Sequence, residues 1–447
     1  MSSSREASQT PVARSPLDLA ITAAISGDNE AALRHAGAIL EEDPTRSVAV
    51  LLAGRILGVL GQTDVATLAL RRAVRLGVLE GSLPRAAAAA IELSKLGVDT
   101  KEIRSRIAEV FARGSRRLLA QGATPPALVR QRLSGIPLPH TLAGIELVQH
   151  IKNLVIAEPD GYEGDEEARP VSGQSLLSAL DQGGLERMLE VLDLVWVGAG
   201  TKVVEQAQSG QEAYILARGE VEVIRQSDRG GSLVLARLGA GALFGEMALL
   251  SRAARAASVV ACRPSLLLVA RKEDLDKVVA TSPDVGNVLA DYCRRRMMDN
   301  LVRTSAILKS VEPQERSHLM QLFVTRSFEK GERLIRQGQE SEGLQLIASG
   351  EVAVVRHDGE DRTVLATLTA GEVVGEMSLV LRRPSTADVV ATAPTVTLHL
   401  PHGQFMGIVR RYPEVLSHLY ELAVDRDAIT SSIVAQEATD ADDFVLL

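Results

Sequence analysis

The sequence predicts a multidomain α+β protein: all-α helical-hairpin repeats at the N-terminus, then two copies of one β-rich domain flanked by helices. Three observations predict it. Glycine-punctuated helical segments recur between Ser15 and Gln121, around Gly27, Gly61 and Gly97. From Leu194 the chain changes to short alternating segments separated by turns. That second half then repeats itself, so that Gly200 recurs as Gly331 and Gly245 as Gly375.

Composition sets the bounds. A chain of 447 residues exceeds one hydrophobic core, so two to four domains are expected. The net charge of −8 argues against bulk phosphate-backbone binding, so no nucleic-acid partner is expected. The only cysteines, Cys262 and Cys293, make neither a zinc spacing nor a disulfide framework, and no metal is expected. The Ser-rich start lacks an apolar h-region, and no run approaches the ~18–20 apolar residues of a membrane span. A cytoplasmic protein without a membrane partner is therefore expected. Arginine outnumbers lysine 41 to 8 and alanine is abundant, which suggests a GC-rich bacterial genome.

Residues 1–15 are polar and expected to be disordered. Residues 16–121 read as helices rich in Ala and Leu. Ala31-Ala32-Leu33 through Asp43-Pro44, and Val65-Ala66 through Ala73-Val74, follow successive glycines in similar order. This resembles tetratricopeptide helical hairpins, although the aromatic positions of that family are missing. The resemblance implies a protein-docking surface; a helical spacer is the alternative. Residues 122–174 form a connector. It has four prolines at 125–139, a helix over 142–156, and an acidic linker from Glu158 to Pro170. Residues 175–300 and 301–425 are the two β-rich copies, and 426–447 a tail expected to be disordered and too short for a winged helix. Ser175–Leu192 reads as helix, weakened or split at Gly183-Gly184. Segments at 194–197, 201–204, 213–216, 221–224 and 233–236 read as strands, and helix returns after Lys272.

Gly200–Gln206 matches Gly331–Gln337, and Tyr214–Val221 matches Gln345–Val352, both at an offset of 131. Gly245-Glu246 then matches Gly375-Glu376 at 130, so one residue has been lost in the intervening hairpin. In the first copy, Phe244-Gly245-Glu246-Met247-Ala248-Leu249-Leu250 is followed by Arg255-Ala256-Ala257-Ser258-Val259. A carboxylate and an arginine held nine residues apart suit a ribose hydroxyl and a cyclic phosphate.

On these motifs, residues 176–425 resemble tandem cyclic nucleotide-binding domains. The regulatory subunits of cAMP-dependent protein kinase have this arrangement, and catabolite-activator-type sensor domains share the fold. The resemblance implies a β-roll (jelly-roll-like) fold and a phosphate-binding cassette. It implies that Gly245 lets the backbone approach the ligand and that Glu246 accepts from the ribose 2′-OH. Residues 246–250, with Met247 and Ala248, would form a short helix facing the phosphate. Arg255 would pair with the phosphate, Ser258 would add a donor, and Ala256 tilts the ligand from cGMP towards cAMP. The alternative is a barrel in which Glu246 and Arg255 pair with each other. In the second copy Gly375 and Glu376 are kept, but Ser385 stands for Arg255 and Asp388 for Ser258. Asp388 is expected to repel a phosphate. Arg382 or Arg383 is left as the only nearby cation, so this copy reads as degenerate. Arg382-Arg383-Pro384-Ser385 also has the pattern of a basophilic kinase substrate, one common by chance.

No catalytic constellation, Walker loop or nucleophile elbow appears, so no enzyme and no cofactor are expected; the ligand expected is cAMP or cGMP. The chain reads as a non-enzymatic receptor whose helical repeats engage a protein partner. A constitutive scaffold with non-binding barrels, or a regulatory subunit of a separate kinase or other enzyme, remain as alternatives.

Overall fold

The computed structural model describes residues 15–119, 141–156, 170–174, 176–227, 231–246, 255–304, 312, 319, 322–359 and 361–444. The expected N-terminal disorder (1–14), the proline-rich part of the connector and most of the acidic linker lie outside the described residues.

Six helices come first: α1 (Pro16–Ile25), α2 (Asn29–Glu42), α3 (Ser47–Val59), α4 (Thr63–Leu79), α5 (Leu83–Lys95) and α6 (Lys101–Phe111). Gly27, Gly61 and Gly97 lie in the turns α1–α2, α3–α4 and α5–α6 at φ +85°, +75° and +80°, the left-handed conformation that ends a helix. Ser15 is not part of a disordered tail: with Asp18 it forms a capping box on α1, ahead of Pro16. Small residues let the helices approach closely. A Cβ on Gly77 would lie 2.6 Å from the Ala86 amide nitrogen. The expected connector helix is present as α7 (Gly144–Ile156), packed on α2, α3 and α4. Arg72 of α4 donates to the Leu154 and Val155 carbonyls at its end, at 3.0 and 2.9 Å.

A short 3₁₀ turn at Leu177–Ala179 and α8 (Gln182–Val191) precede the first β unit. The break in Ser175–Leu192 falls at Leu180-Asp181, not at the glycine pair. Asp181 caps α8 by accepting from the Gly184 amide at 2.8 Å, so both glycines sit in the first turn. Unit 1 contains β1 (Asp193–Val197), β2 (Lys202–Val204), β3 (Glu212–Arg218), β4 (Glu220–Ser227), β5 (Gly231–Gly239), β6 (Leu243–Phe244), β7 (Ser258–Ala261) and β8 (Ser265–Arg271). Two helices follow, α9 (Lys272–Thr281) and α10 (Pro283–Thr304). Unit 2 contains β9 (Val324–Phe328), β10 (Arg333–Ile335), β11 (Gly343–Ser349), β12 (Glu351–Asp358), β13 (Asp361–Thr369) and β14 (Val373–Val374). After these come α11 (Glu376–Leu381), β15 (Asp388–Ala391), β16 (Thr395–Pro401), α12 (His402–Arg411) and α13 (Pro413–Phe444).

Each unit has two four-stranded antiparallel sheets in the same order: β1-β8-β3-β6 and β2-β7-β4-β5 in the first, β9-β16-β11-β14 and β10-β15-β12-β13 in the second. Side chains from both sheets of unit 1 meet in one core that includes Leu216, Val221, Phe244, Val259 and Leu267. The register irregularity at Leu216/Arg218 recurs at Ile347/Ser349. The lost residue lies in the hairpin between β4 and β5, where 228–230 become 359–360.

The expected tail from 426 is not a separate element. The helix α13 runs through it to Phe444, because no Gly or Pro interrupts the chain after Pro413. The helical array and unit 1 are also not separate bodies. One hydrophobic core runs from Ala20 through the array into β1, β3, β8 and α10. A buried ion cluster crosses the same junction. Asp18 of α1, 3% exposed, takes Arg218 of β3 and Arg263 of the β7–β8 turn, each at 2.5 Å. Nearby, the Trp196 indole donates to Glu92 at 3.3 Å, and the Arg55 guanidinium lies 5.2 Å from the Trp196 ring centre.

Burial raises the Asp18 pKa, but hydrogen bonds from Arg263 and Arg218 and the Arg218 charge outweigh it, so the carboxyl lies below its ordinary 3.8. A depressed folded-state pKa contributes stability above the unfolded value and loses it as pH falls through the folded one. We expect Asp18→Ala to cost on the order of 3 kcal/mol in urea unfolding at neutral pH, because it strands the buried Arg218 guanidinium and removes a partner of half-buried Arg263. Below pH 3.8 the difference between wild type and Asp18→Asn should shrink.

Candidate functional site

The site in unit 1 is built at the end of β6. Gly245 has φ +75°, and a Cβ there would lie 2.8 Å from Arg255 Nη1, so both its backbone and the close approach require glycine. The Arg255 backbone is fixed from two sides. Its N–H donates to Gln208 O at 2.9 Å, and its carbonyl accepts from Ala207 N–H at 2.8 Å. The side chain turns inward, with Nη1 donating to Gly245 O at 2.8 Å and Nη2 to Glu212 O at 2.7 Å. The Glu212 carboxylate lies 3.6 Å away. Gly210 makes the room: a Cβ there would stand 2.5 Å from Arg255 Nε. Burial lowers the Arg255 pKa, opposed by Tyr214, Glu212 and Glu246.

Glu246 does not pair with Arg255, contrary to the alternative read from sequence. Its Oε1 accepts from Arg296 Nε of α10 at 3.3 Å, and Arg296 Nη2 also donates to Leu243 O at 3.3 Å. Cys293 of the same helix touches the Glu246 carbonyl at 3.7 Å, and burial followed by the Glu246 charge pushes its thiol up to about 12. Tyr214 stacks on Phe244 behind the site. Met247 and Ala248, and so the short helix expected there, lie outside the described residues. Ala256 is exposed beside Arg255. Ser258 is buried in β7, and its hydroxyl oxygen accepts the Gln206 amide at 3.0 Å, so it braces the wall next to Arg255.

Unit 2 repeats this frame with different chemistry. Ser385 occupies the place of Arg255: its N–H donates to Gln339 O at 2.8 Å, and its carbonyl accepts from Gly338 N–H at 2.8 Å. The vacated space is filled by Ser341, the counterpart of Gly210. Its hydroxyl donates to Gly343 O at 2.7 Å, the carbonyl matching that of Glu212. A Cβ on Gly375 would meet this hydroxyl at 2.9 Å, as one on Gly245 would meet the guanidinium. Arg383 does not reach round to supply the missing cation; it pairs with Asp427 of α13. Asp388 does not face a phosphate position. It accepts the Gln337 amide at 2.8 Å, as Ser258 accepts that of Gln206, and Arg333 and His357 lie at 3.2 and 3.4 Å. Glu376, 2% exposed, opens α11 and takes Arg426 of α13 at 2.6 Å. Arg426 Nη1 also donates to Val373 O at 2.7 Å. Arg296 and Arg426 therefore close equivalent corners, each gripping the glutamate and the carbonyl three residues before it. Sequence reading missed both, although the two arginines repeat the spacing of the glutamates they hold.

Residues 194–282 and 325–412 each match the family model for the cyclic nucleotide-binding domain. A type II regulatory subunit of cAMP-dependent protein kinase from Drosophila melanogaster is 30% identical over 217 residues, covering 48% of this chain and 54% of that protein. A regulatory subunit of the same kinase from Yarrowia lipolytica is 31% identical over 255 residues, covering 57% of this chain and 63% of that protein. The chain thus spans less than two thirds of the length of these relatives. A solved structure of the Toxoplasma gondii PKA regulatory domain with cAMP aligns at 24% identity, over 56% of this chain and 92% of that chain, with a TM-score of 0.28. Units 1 and 2 thus each match the cyclic nucleotide-binding domain, in tandem, and resemble the corresponding part of these regulatory subunits. These curated relatives are eukaryotic and lend no support to the bacterial source read from arginine usage. Of the repeat reading, the helical N-terminus stands.

The two helix arginines should differ in weight. Arg296 is 39% exposed and sits 3.3 Å from its glutamate, whereas Arg426 is 20% exposed at 2.6 Å. We expect Arg296→Ala to cost about 1 kcal/mol and Arg426→Ala about 2–3 kcal/mol, read by urea unfolding and by amide exchange along α10 and α13.

Proposed function

We propose that this chain is a non-enzymatic cyclic nucleotide receptor, with cAMP the preferred ligand, that binds one molecule per chain in unit 1 and couples it to protein–protein interaction. The observation that carries this reading is that a buried guanidinium, Arg255, and a buried carboxylate, Glu246, lie at one corner around Gly210 and Gly245 without bonding each other. Two of the five N–H groups of Arg255 are bonded to carbonyls, and a phosphate would take others in charge-assisted bonds. Glu246 holds Arg296 with Oε1, leaving the second carboxylate oxygen to accept a ribose 2′-OH. A single residue would then touch both the ligand and α10. Ala256 beside the arginine favours cAMP over cGMP by resemblance to the family.

Coupling runs through α10, which leads out of unit 1 towards unit 2. A ligand shifts such an equilibrium only through its different affinities for the two states, and here the difference lies in how Glu246 holds Arg296. The array resembles tetratricopeptide hairpins and supplies the surface for a protein partner, in a cytoplasmic setting. The likeness to regulatory subunits of cAMP-dependent protein kinase favours a specific second reading, a regulatory subunit whose partner is a kinase catalytic chain.

Calorimetry on the full chain with cAMP, cGMP and a cyclic dinucleotide tests the receptor. We expect a stoichiometry near one and loss of binding in Arg255→Ala. Gly210→Ser should also abolish binding, because it places an atom on the guanidinium. Paired Ser341→Gly and Ser385→Arg should create a second, weaker site. No binding at tens of micromolar, or binding unchanged in Arg255→Ala, would sink the reading in favour of a scaffold. Pull-down by residues 1–304 with and without cAMP then separates the outputs: a kinase recovered only without ligand selects the regulatory-subunit reading.

A further inference from the structure

Away from both β units, the helical array carries a cleft of about 1000 Å³ between α4, α6 and the loop that follows α6. Among the described residues six arginines line it: Arg71 and Arg75 from α4, Arg106 from α6, and Arg113, Arg116 and Arg117 from the loop. Glu109 is the only acidic residue among the described residues that line it. Valines and isoleucines of the two helices supply an apolar floor. Such a concentration of guanidinium groups on a chain of net charge −8 raises the local potential and selects an anionic occupant. The volume is at the upper end of the ~300–1,000 Å³ range of small-ligand pockets, enough for a short peptide rather than a single ion.

The path of the chain identifies the occupant. At one end, Arg72 of α4, next in sequence to Arg71, holds the Leu154 and Val155 carbonyls, and α7 ends one residue later at Ile156. At the other end, the Val171 amide donates to Arg117 O at 2.8 Å, and its carbonyl accepts from Leu119 N–H at 3.0 Å. The stretch 157–169 is therefore tied to the rim at its Val171 end, through Arg117, and leaves α7 at a point held by Arg72, the neighbour of lining Arg71. That stretch carries six carboxylates, Glu158, Asp160, Glu163, Asp165, Glu166 and Glu167, and one arginine. Thirteen residues can span up to ~45 Å, which does not limit access to the cleft.

We propose that the arginine cleft is an acidic-peptide site and that its resident ligand is the chain's own segment 158–167. The inference is independent of cyclic nucleotide binding, and its test needs no nucleotide. The probe is a fluorescent synthetic peptide of residues 157–169, followed by anisotropy against the full chain. One variant neutralises the resident segment (E158Q/D160N/E163Q/D165N/E166Q/E167Q); a second adds R71Q/R106Q/R113Q/R116Q in the cleft. The six carboxamide substitutions are isosteric, the four Arg→Gln changes shorten the side chain but keep it polar, and circular-dichroism melts check that each variant folds. Tethering gives the resident segment a high effective concentration, so we expect the probe to bind the neutralised variant at least about tenfold more tightly than wild type. The added cleft substitutions should remove that binding, and raising salt from about 0.05 to about 0.5 M should weaken it. Equal binding to wild type and the neutralised variant, or binding insensitive to the cleft arginines, overturns the proposal. So does inositol hexakisphosphate or a phosphopeptide binding wild type as tightly as the neutralised variant, since the cleft would then be open.

Discussion

A carboxylate buried at the mouth of each β unit needs a cation, and in both units the cation comes from the helix that leaves the unit. Burying a carboxylate at 2–4% exposure carries a desolvation cost, which Arg296 offsets in part for Glu246 and Arg426 more fully for Glu376. The same arginines also bond the carbonyls of Leu243 and Val373. Each helix is thereby tied to the strand that ends in the cassette glycine. The first half of α10 is held by Val285, Leu289, Tyr292 and Cys293 in the shared core, and the ion pair sets where its arginine meets the end of β6.

Within this frame the units diverge by coordinated exchange. Gly210 and Arg255 in the first are answered by Ser341 and Ser385 in the second. Loss of the guanidinium would leave the carbonyl at position 343 without a donor, and the serine hydroxyl supplies one at 2.7 Å. Ser258 and Asp388 exchange in the same way around one backbone amide. The added charge of Asp388 is met by Arg333, with the His357 ring beside it in the wall. Unit 2 has been rebuilt as a filled corner, a more settled state than an empty site that has lost one residue.

Much of this was legible in the sequence because a repeat supplies its own control. The strands, the cassette turns and the substitution at Ser385 follow from comparing one half of the β region with the other. The same comparison contains Gly210 against Ser341 and Arg296 against Arg426. Their meaning appears only when the side chains are placed. Strands β3 to β6 separate Gly210 from Arg255, and β7, β8 and α9 separate Glu246 from Arg296. Asp388 shows the limit in the other direction. An aspartate near a cassette suggests repulsion, but strand direction turns it into the wall. The contact between Asp18 and Arg218 joins residues 200 positions apart and leaves no local pattern to read. An Ala- and Asp-rich end resembles linker, whereas unbroken helix propensity from Pro413 carries α13 to Phe444.

The shared core between the array and unit 1 has a mechanical consequence. Leu33, Leu51, Leu93, Leu268 and Cys293 belong to one continuous buried cluster, so helices and sheet in that part of the chain form a single cooperative folding unit. The cores of unit 2 are separate clusters. An array fused in this way cannot act as a lever swinging on the first unit. It is a fixed frame that includes α10 as far as Cys293, and movement relative to it begins only beyond that point.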